Sequence, residues 1–414
     1  MTMHRLLSDE RGSLLPWAVL SLILLMGMLA VLLDGGRYFL LKNRLLNVAH
    51  MAAGYGAEMS DLLPEEELLA SIRLIVRSEL GEDDGFLSLA RRDYSLSLIE
   101  GSHSSTDFSV TIKGELTPFL LSTLGIKAGF QVSVNSVRRS EPIPSHIGMV
   151  LDHAATNPDI RATAEYFLSK LTAINSAEEI RLALIPNATN LINVAPHKEW
   201  VMPGHWPAAV PPNVPGRAMW SGALEDQRWC VHPRPGGVRK TSNPPAMQPF
   251  EIAMEITVET AADGTDEYAV TTTDECPAVS ITPLKADQTA ARQAVQNLND
   301  SGDFYPGRGL VWGLRTLSPK WKGVWRGEAR IPNPEKQIIF MMVSAAPTNN
   351  ADDQADFAAA CNEAVSSGIM IYAAGPQSAV DELATSCDME KFRYLGTDYV
   401  QASLRLLASL REIH

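Results

Sequence analysis

The sequence has no run of basic residues and no excess of positive charge. Its 414 residues contain 35 Lys and Arg against 48 Asp and Glu, a formal net charge of −13. Proteins that bind nucleic acid neutralise phosphates with clustered Lys and Arg. The composition therefore argues against nucleic acid as a partner.

The sequence also lacks the motifs that mark common catalytic sites. It contains no Gly-x-Ser-x-Gly elbow, no His-Glu-x-x-His helix and no Walker-type phosphate loop. Each of those motifs places a nucleophile, a metal or a phosphate by a defined mechanism. We therefore predict that the protein is not an enzyme. A membrane-tethered hydrolase with dispersed catalytic residues is the enzymatic alternative.

Cysteine is scarce, and its placement is informative. The cysteines are Cys230, Cys276, Cys361 and Cys387, all in the second half of the chain. An even number fits an oxidising compartment, where disulfides persist. Four cysteines allow three pairings, and Cys230–Cys276 with Cys361–Cys387 is favoured because each pair joins residues of one sequence segment. Buried free thiols are the alternative.

Two other groups of polar residues are interpreted as ordinary loops. Cys230 and His232, with His197 and His205, lack the paired ligand spacing of a zinc site. The segment 263–267 (DGTDE) lacks the alternating acidic positions and the distal Glu of a calcium loop, and so predicts a solvated hairpin turn. No cofactor is expected from either group.

Residues 14–33 (LLPWAVLSLILLMGMLAVLL) form an apolar run of twenty residues that contains no charged side chain. As a helix it spans roughly 30 Å, the hydrocarbon thickness of a bilayer. A cleaved signal peptide has a shorter apolar run, of about 7–15 residues, and a core helix is the other alternative. We predict a single membrane anchor, preceded by a cytoplasmic tail at residues 1–13. Positive charges nearly balance across the anchor, so the cysteines decide the orientation and place the C-terminal part outside the cytoplasm.

The periodicity divides the rest of the chain into two regions. Residues 34–144 continue the anchor helix, add a second helix after Pro64 and then alternate apolar with polar residues, which predicts a small α+β stalk module. Residues 145–414 alternate short apolar strands with helices. This pattern predicts an α/β fold with a doubly wound, mainly parallel sheet, interrupted by a large insertion at about residues 187–285. Such sheets bind ligands at the carboxyl ends of their strands.

Tryptophans crowd the insertion and the segment that follows it. They are either buried anchors of irregular chain or a face that binds a protein partner. The residues concerned are Trp200, Trp206, Trp220, Trp229, Trp312, Trp321 and Trp325.

The N-terminal region resembles a family of envelope proteins. The similar stretches are ERGS at 10–13, the apolar span, DGGRY at 34–38 and LLNVAHMAA at 45–53. They resemble the membrane-anchored N terminus of TadE/TadG-type proteins, which serve the assembly of tight-adherence (Flp-type) pili. Prepilin-like precursors are cut after a Gly with a Glu five residues on, but Gly12 is followed at that distance by Trp17. Prepilin-type cleavage is therefore not expected.

Residues 146–414 resemble the von Willebrand factor type A domain of TadG-like proteins. The similar stretches are IRLALIP at 180–186, WSGALEDQR at 220–228, CP at 276–277, PL at 283–284, GLVWG at 309–313, LSP at 317–319, KQIIFM at 336–341, Cys361 and Cys387. The family domain carries a metal-ion-dependent adhesion site. That site combines an Asp-x-Ser-x-Ser loop, a Thr in a second loop and an Asp after a later strand.

Several of those ligands are replaced in this sequence. The first loop keeps Asp152 but has Ala154 at the first Ser and Thr156 at the second. The segments 302–304 (GDF) and 342–344 (MVS) stand where the family has Gly-Gly-Thr and Thr-Asp-Gly. Magnesium needs clustered oxygen ligands in near-octahedral geometry, so a degenerate metal site is expected at Asp152 and Thr156. Substitute ligands from a loop out of register are Asp303, Asp352 and Asp353.

The resemblance implies assembly by contact rather than by chemistry. It predicts a single-pass protein of the inner membrane with a large extracytoplasmic domain. Its expected partners are other Tad pilus assembly proteins, with pilin as a further candidate. The alternative is a metal-dependent surface adhesin or ligand-binding receptor built on the same domain, which magnesium or calcium dependence would reveal.

Overall fold

The chain forms two compact units, residues 1–141 with 413–414, and residues 142–412. The computed structural model describes residues 14–80, 97–100, 107–123, 125, 129–152, 158–175, 179–201, 228–234, 243–253, 255–260, 266–271, 275–298, 302–321, 323–325, 334–344, 350–387 and 392–413. The division between the units falls close to residue 144, where the sequence pattern changes.

The first unit is built from a long helix and an antiparallel sheet. Its elements are α1 (Leu14–Met59), α2 (Glu65–Leu80), β1 (Ser97–Glu100), β2 (Asp107–Leu116), the one-turn α3 (Leu120–Thr123) and β3 (Phe130–Pro142). Strand β2 pairs with β1 on one side and β3 on the other, both antiparallel. Helix α2 begins with three glutamates, which favour the positive end of its dipole, and buries Leu68, Ile72, Val76 and Leu80.

The two halves of α1 have different surroundings. Most side chains of residues 16–33 are exposed, and this helix is long and apolar enough to cross a membrane. The second half buries a stripe of Leu41, Leu45, Val48, Ala49, Ala52 and Ala53 in the core of the unit. Small residues let the sheet approach closely, since a Cβ on Gly56 would lie 2.1 Å from the ring of Phe108. One continuous helix therefore joins an exposed apolar segment to a folded core.

The second unit alternates strands and helices. Its elements are β4 (Ser145–Asp152), α4 (Pro158–Ile174), β5 (Ile180–Asn187), β6 (Ile192–Asn193), β7 (Cys230–Val231), β8 (Glu255–Thr260), β9 (Asp266–Thr271), α5 (Thr289–Gln296), α6 (Pro306–Leu317), β10 (Lys336–Met342), α7 (Ala351–Ser366), β11 (Met370–Ala374), α8 (Gln377–Thr385), β12 (Phe392–Gly396), α9 (Tyr399–Ser409) and β13 (Arg411–Ile413), whose last residue belongs to the first unit. Short 3₁₀ turns cover Ala195–Trp200 and Pro319–Trp321.

Five strands form one parallel sheet in the order β12-β11-β10-β4-β5. The predicted α/β class with a mainly parallel sheet is confirmed. Alternate residues of β10 face opposite layers. Phe340 packs its ring 5.5 Å from that of Phe167 in α4, whereas Ile339 and Met341 belong to the core that contains α6 and α7. Helices therefore cover the two faces of the sheet.

The predicted insertion supplies small antiparallel pairs. Strand β6 pairs with β7, and β8 pairs with β9 as a hairpin, whose connecting residues 261–265 lie outside the described residues. The disulfides are Cys230–Cys276 and Cys361–Cys387, the two pairs that the sequence favours, and no cysteine is free. Helix α9 stops at Ser409, and residues 411–413 are extended.

Candidate functional site

The order of the strands creates one switch point. From β4 the chain moves outward to β5, and after the insertion it returns to β10 on the other side of β4. The carboxyl ends of β4 and β10 are therefore the edge at which ligands of doubly wound sheets bind. Asp152 ends β4, Asn187 lies opposite it at the end of β5, and Ser344 follows β10.

Asp152 and Ser344 form a direct contact at this switch point. The backbone N–H of Ser344 donates to Asp152 Oδ2 at 2.7 Å, and the Ser344 hydroxyl donates to the same oxygen at 2.5 Å. Asp152 is only 1% exposed, so its charge depends on protein donors. Nearby, the Tyr399 hydroxyl donates to the carbonyl of Val343 at 2.5 Å. Burial, with Asp152 close by, raises the pKa of Tyr399.

Asn187 is held on the opposite side of Asp152 by α6. Its Nδ2 donates to the carbonyl of Tyr305 at 2.6 Å. A Cβ on Gly309 would lie 2.5 Å from that Nδ2, so only glycine leaves room for the side chain. In the part of the chain that the structure describes, Asn187 Oδ1 is buried and accepts no hydrogen bond. A buried oxygen of this kind costs stability unless a donor satisfies it.

Asp353 performs a structural task beside this edge. Its two carboxylate oxygens accept hydrogen bonds from the backbone N–H groups of Gly307 and Arg308 at 3.0 and 2.9 Å, which caps the start of α6. Burial raises the pKa of Asp353 to about 6. Both oxygens accept hydrogen bonds from the start of α6, so in this structure Asp353 acts as a helix cap.

The other residues expected at a metal site are more dispersed. Thr156 lies outside the described residues, and the side chains of Asp303 and Asp352 are exposed. Among the residues with described positions, no three His, Cys, Asp or Glu side chains lie together. Oδ2 of Asp152 accepts two hydrogen bonds from Ser344, where a magnesium site would need that oxygen and several more around one point. The described residues therefore supply fewer oxygen ligands than the adhesion-site metal of the family needs, and the expected degenerate site stays a prediction because residues 153–157 lie outside the described part of the chain.

The described tryptophans of the insertion and of the segment after it are buried and do not form a face. Trp200, Trp229, Trp312, Trp321 and Trp325 are at most 4% exposed, so the partner-binding interpretation of these five is wrong. Trp206 and Trp220 lie outside the described residues. The zinc interpretation also fails, because Cys230 is bonded to another cysteine and the His197 ring stacks 4.0 Å from that of Trp200.

Aromatic side chains enclose Arg315. Its guanidinium carbon lies 4.6, 5.0 and 6.0 Å from the ring centroids of Trp312, Phe250 and Trp321, and none of its nitrogens is hydrogen-bonded to a described residue. Burial, with Arg308 and Arg234 nearby, lowers the pKa of Arg315 well below its ordinary value. Cation–π contacts replace the missing hydrogen bonds.

Sequence reasoning missed two residues of the switch point, Asn187 and the hydroxyl of Ser344. The signal that could have found them is position, since each is a polar residue that directly follows a predicted apolar strand. The family pattern has an Asp after β10, which this sequence lacks, and it assigns no role to the hydroxyl one residue further on.

Fold and edge together define an α/β domain whose parallel sheet brings Asp152, Asn187 and Ser344 to one switch point. No protein-family model matches the chain, and no curated protein matches it. Among solved structures, it is similar to the vWF domain of the type V pilus tip protein Mfa5 from Porphyromonas gingivalis, with 9% identity, a TM-score of 0.33, and coverage of 65% of this chain and 95% of that one.

Two further structures show a likeness of the same degree. The pilus adhesin SpaC from Lactobacillus rhamnosus GG has 10% identity and a TM-score of 0.32, with coverage of 77% of this chain and 34% of that one. Proximal thread matrix protein 1 from the mussel byssus has 11% identity and a TM-score of 0.33, with coverage of 66% and 48%. The chain thus spans half or less of the length of these two proteins. Scores at this level have no weight for function, which must be argued from the residues of this chain.

Proposed function

We propose that this chain is a single-pass protein of the bacterial inner membrane that supports assembly of Tad (Flp-type) pili. It docks other assembly proteins, with pilin as a further candidate partner. It acts through protein contacts of its two extracytoplasmic units, without catalysis and without metal-dependent adhesion.

Helix α1 is the observation that carries this proposal. Its first half exposes an apolar segment of bilayer length, and its second half forms the core of the first unit. A helix of that kind holds a folded unit directly against a membrane. The two disulfides of the second unit support an oxidising compartment. The pilus system itself rests on the likeness of residues 10–53 to TadE/TadG-type proteins.

The proposal is tested in the source bacterium by deleting the gene and counting surface pili by electron microscopy. We expect pili to be lost, and to be restored by the full chain and by Asp152→Ala. A version in which a cleavable signal peptide replaces residues 1–33 should not restore them. Normal piliation after deletion, or full rescue by the version without an anchor, would contradict the proposal.

A second candidate is the metal-dependent adhesin, and one observation favours it. The buried Oδ1 of Asn187 lies at the end of β5, directly opposite Asp152 in the register of the sheet. Two oxygens at a switch point are the beginning of a ligand site, although they are far from the six that magnesium prefers.

Calorimetric titration of magnesium, manganese and calcium into the detergent-solubilised full chain separates the two candidates. The docking proposal predicts no saturable heat and no change of the thermal midpoint. Saturable binding that disappears in Asp152→Ala would favour the adhesin and exclude docking without metal.

A further inference from the structure

The start of the first unit contains a buried carboxylate just beyond the apolar run. Asp34 follows Leu33 in α1 and is 1% exposed. Its Oδ1 accepts the backbone N–H of Phe119 at 2.8 Å, and its Oδ2 accepts those of Leu120 and Leu121 at 3.1 and 2.8 Å. These bonds dock the one-turn helix α3 against α1 at that position.

The position of this contact follows from helix geometry. Because α1 is continuous, the docked turn lies at the level where the uncharged run ends and the membrane would give way to water. A carboxylate at that depth needs donors that replace water. Asp34 has three backbone donors, and Arg37 lies 3.5 Å from it as an ion pair. The charge is therefore satisfied within the protein, whatever covers the turn from outside.

The outer side of the turn is apolar. Phe119 is 61% exposed, although its backbone is fixed to Asp34, and the guanidinium of Arg37 lies 5.8 Å from its ring centroid. On the neighbouring turn of α1, Phe39 and Leu40 are 62% and 54% exposed. Exposed Phe and Leu side chains are among those that interfacial segments bury at the boundary between lipid headgroups and acyl chains.

We propose that the segment 117–123 is a membrane-contact loop that seats the ring of Phe119 in the lipid interface. Lipid is the occupant because Asp34 fixes this turn at the level where the exposed apolar residues 16–33 of α1 end. The inference rests on the proposed function only in taking the run at residues 14–33 as membrane-embedded. It adds a second attachment point, which would restrict how the first unit tilts about its anchor.

The test places the photoreactive amino acid p-benzoylphenylalanine at single positions of the full chain. The protein is reconstituted into vesicles of phosphatidylethanolamine and phosphatidylglycerol, irradiated, and examined for lipid adducts by mass spectrometry. Position 119 is the probe. Leu20, 59% exposed within the apolar run, serves as the positive control, and Val137, 54% exposed on β3, serves as the negative control.

Val137 is a matched control because it belongs to the same unit but lies far from the anchor. Its neighbour Ser136 is hydrogen-bonded to His50 of α1 at 2.7 Å. His50 is sixteen residues beyond Asp34, which corresponds to roughly 24 Å along the helix. Unchanged thermal midpoints of the three labelled proteins would show that the substitutions leave the fold intact.

We expect lipid adducts at positions 20 and 119, with a yield at 119 roughly tenfold above that at 137. Adducts at 20 with background yield at 119 would overturn the loop proposal and leave the anchor standing. A protein adduct at 119 would overturn it in favour of a second copy or another protein. The absence of adducts at 20 would overturn the membrane placement itself, and with it the proposed function.

Discussion

The two units of this protein build their hydrophobic cores in different ways. The first places a long helix on an antiparallel sheet and contains none of the cysteines. The second surrounds a parallel sheet with helices and has two disulfides, buried arginines and a cluster of tryptophans. The long connections of a parallel sheet leave more chain to be ordered, and the Cys230–Cys276 cross-link lies in the longest of them, between β5 and β10.

Close contact in each unit depends on glycine, but the partners of the glycines differ. In the first unit Gly56 faces an aromatic ring, which can rotate. In the second, Gly307 faces the backbone of α7 and Gly309 faces the Asn187 side chain at the switch point. Packing of the second unit is therefore coupled to its candidate site, whereas packing of the first is coupled to the long helix α1.

The largest effect is expected from the disulfides. A double variant Cys230→Ala with Cys276→Ala, a pair 46 residues apart, should lose about 4 kcal/mol of stability in the second unit. Urea unfolding followed by tryptophan fluorescence reports this unit, because every tryptophan except Trp17 lies in it. The helical circular dichroism of the first unit should be unchanged. An unaltered fluorescence midpoint would show that the cross-link does not stabilise the second unit.

The second largest loss of stability is expected from an alanine at Gly307. In Gly307→Ala the new Cβ would lie 2.2 Å from the backbone carbonyl of Asp353, which cannot move away without opening the cap of α6. We expect a loss of about 3 kcal/mol. Thermal unfolding measures it, with Gly56→Ala as the matched variant.

Gly56→Ala should change stability by less than about 1 kcal/mol, because the crowding of Phe108 is offset by the better helix propensity of alanine. Equal losses in the two variants would show that the ring of Phe108 is held as firmly as a backbone. The glycine contacts of the two units would then be equally rigid.

How far the sequence predicts this structure depends on the range of the contacts. The long apolar helix, the α/β class and the strands of the parallel sheet were predictable, because periodicity and uncharged runs are local properties of the chain. The bond between Ser344 and Asp152 joins residues separated by 192 positions, and the Asp353 cap joins α7 to α6. Neither leaves a local pattern. Arg315 was equally hidden, because a charged residue in a short apolar helix predicts an exposed side chain.

We expect His146 to make the stability of the second unit sensitive to pH. Burial, together with Arg181, lowers the pKa of this β4 residue from an ordinary 6.5 to about 4. Between about pH 6.5 and 4 the imidazole is therefore protonated in the unfolded chain but not in the folded chain. The stability present above about pH 6.5 is lost as the pH falls towards 4. We expect this loss to be about 2 kcal/mol, and to be absent in His146→Gln.

Urea unfolding at about pH 7 and about pH 4.5 gives the slope of the unfolding free energy against pH for each protein. The difference in slope between the wild type and His146→Gln measures the His146 effect. Comparing slopes removes any constant cost of placing glutamine in the strand. Identical slopes would show that His146 is hydrated in the folded protein, and that the second unit does not owe its acid sensitivity to this residue.

The smallest effect compares one serine hydroxyl in each unit. Ser344→Ala removes a donor from the buried carboxylate of Asp152, and Ser136→Ala removes the partner of His50 at 2.7 Å. A hydrogen bond to a charged group is worth about 2 kcal/mol and an ordinary one about 1 kcal/mol, so Ser344→Ala should cost more in thermal unfolding. If both variants cost the same, the backbone N–H of Ser344 alone satisfies Asp152, and its hydroxyl would be available to a ligand at the switch point.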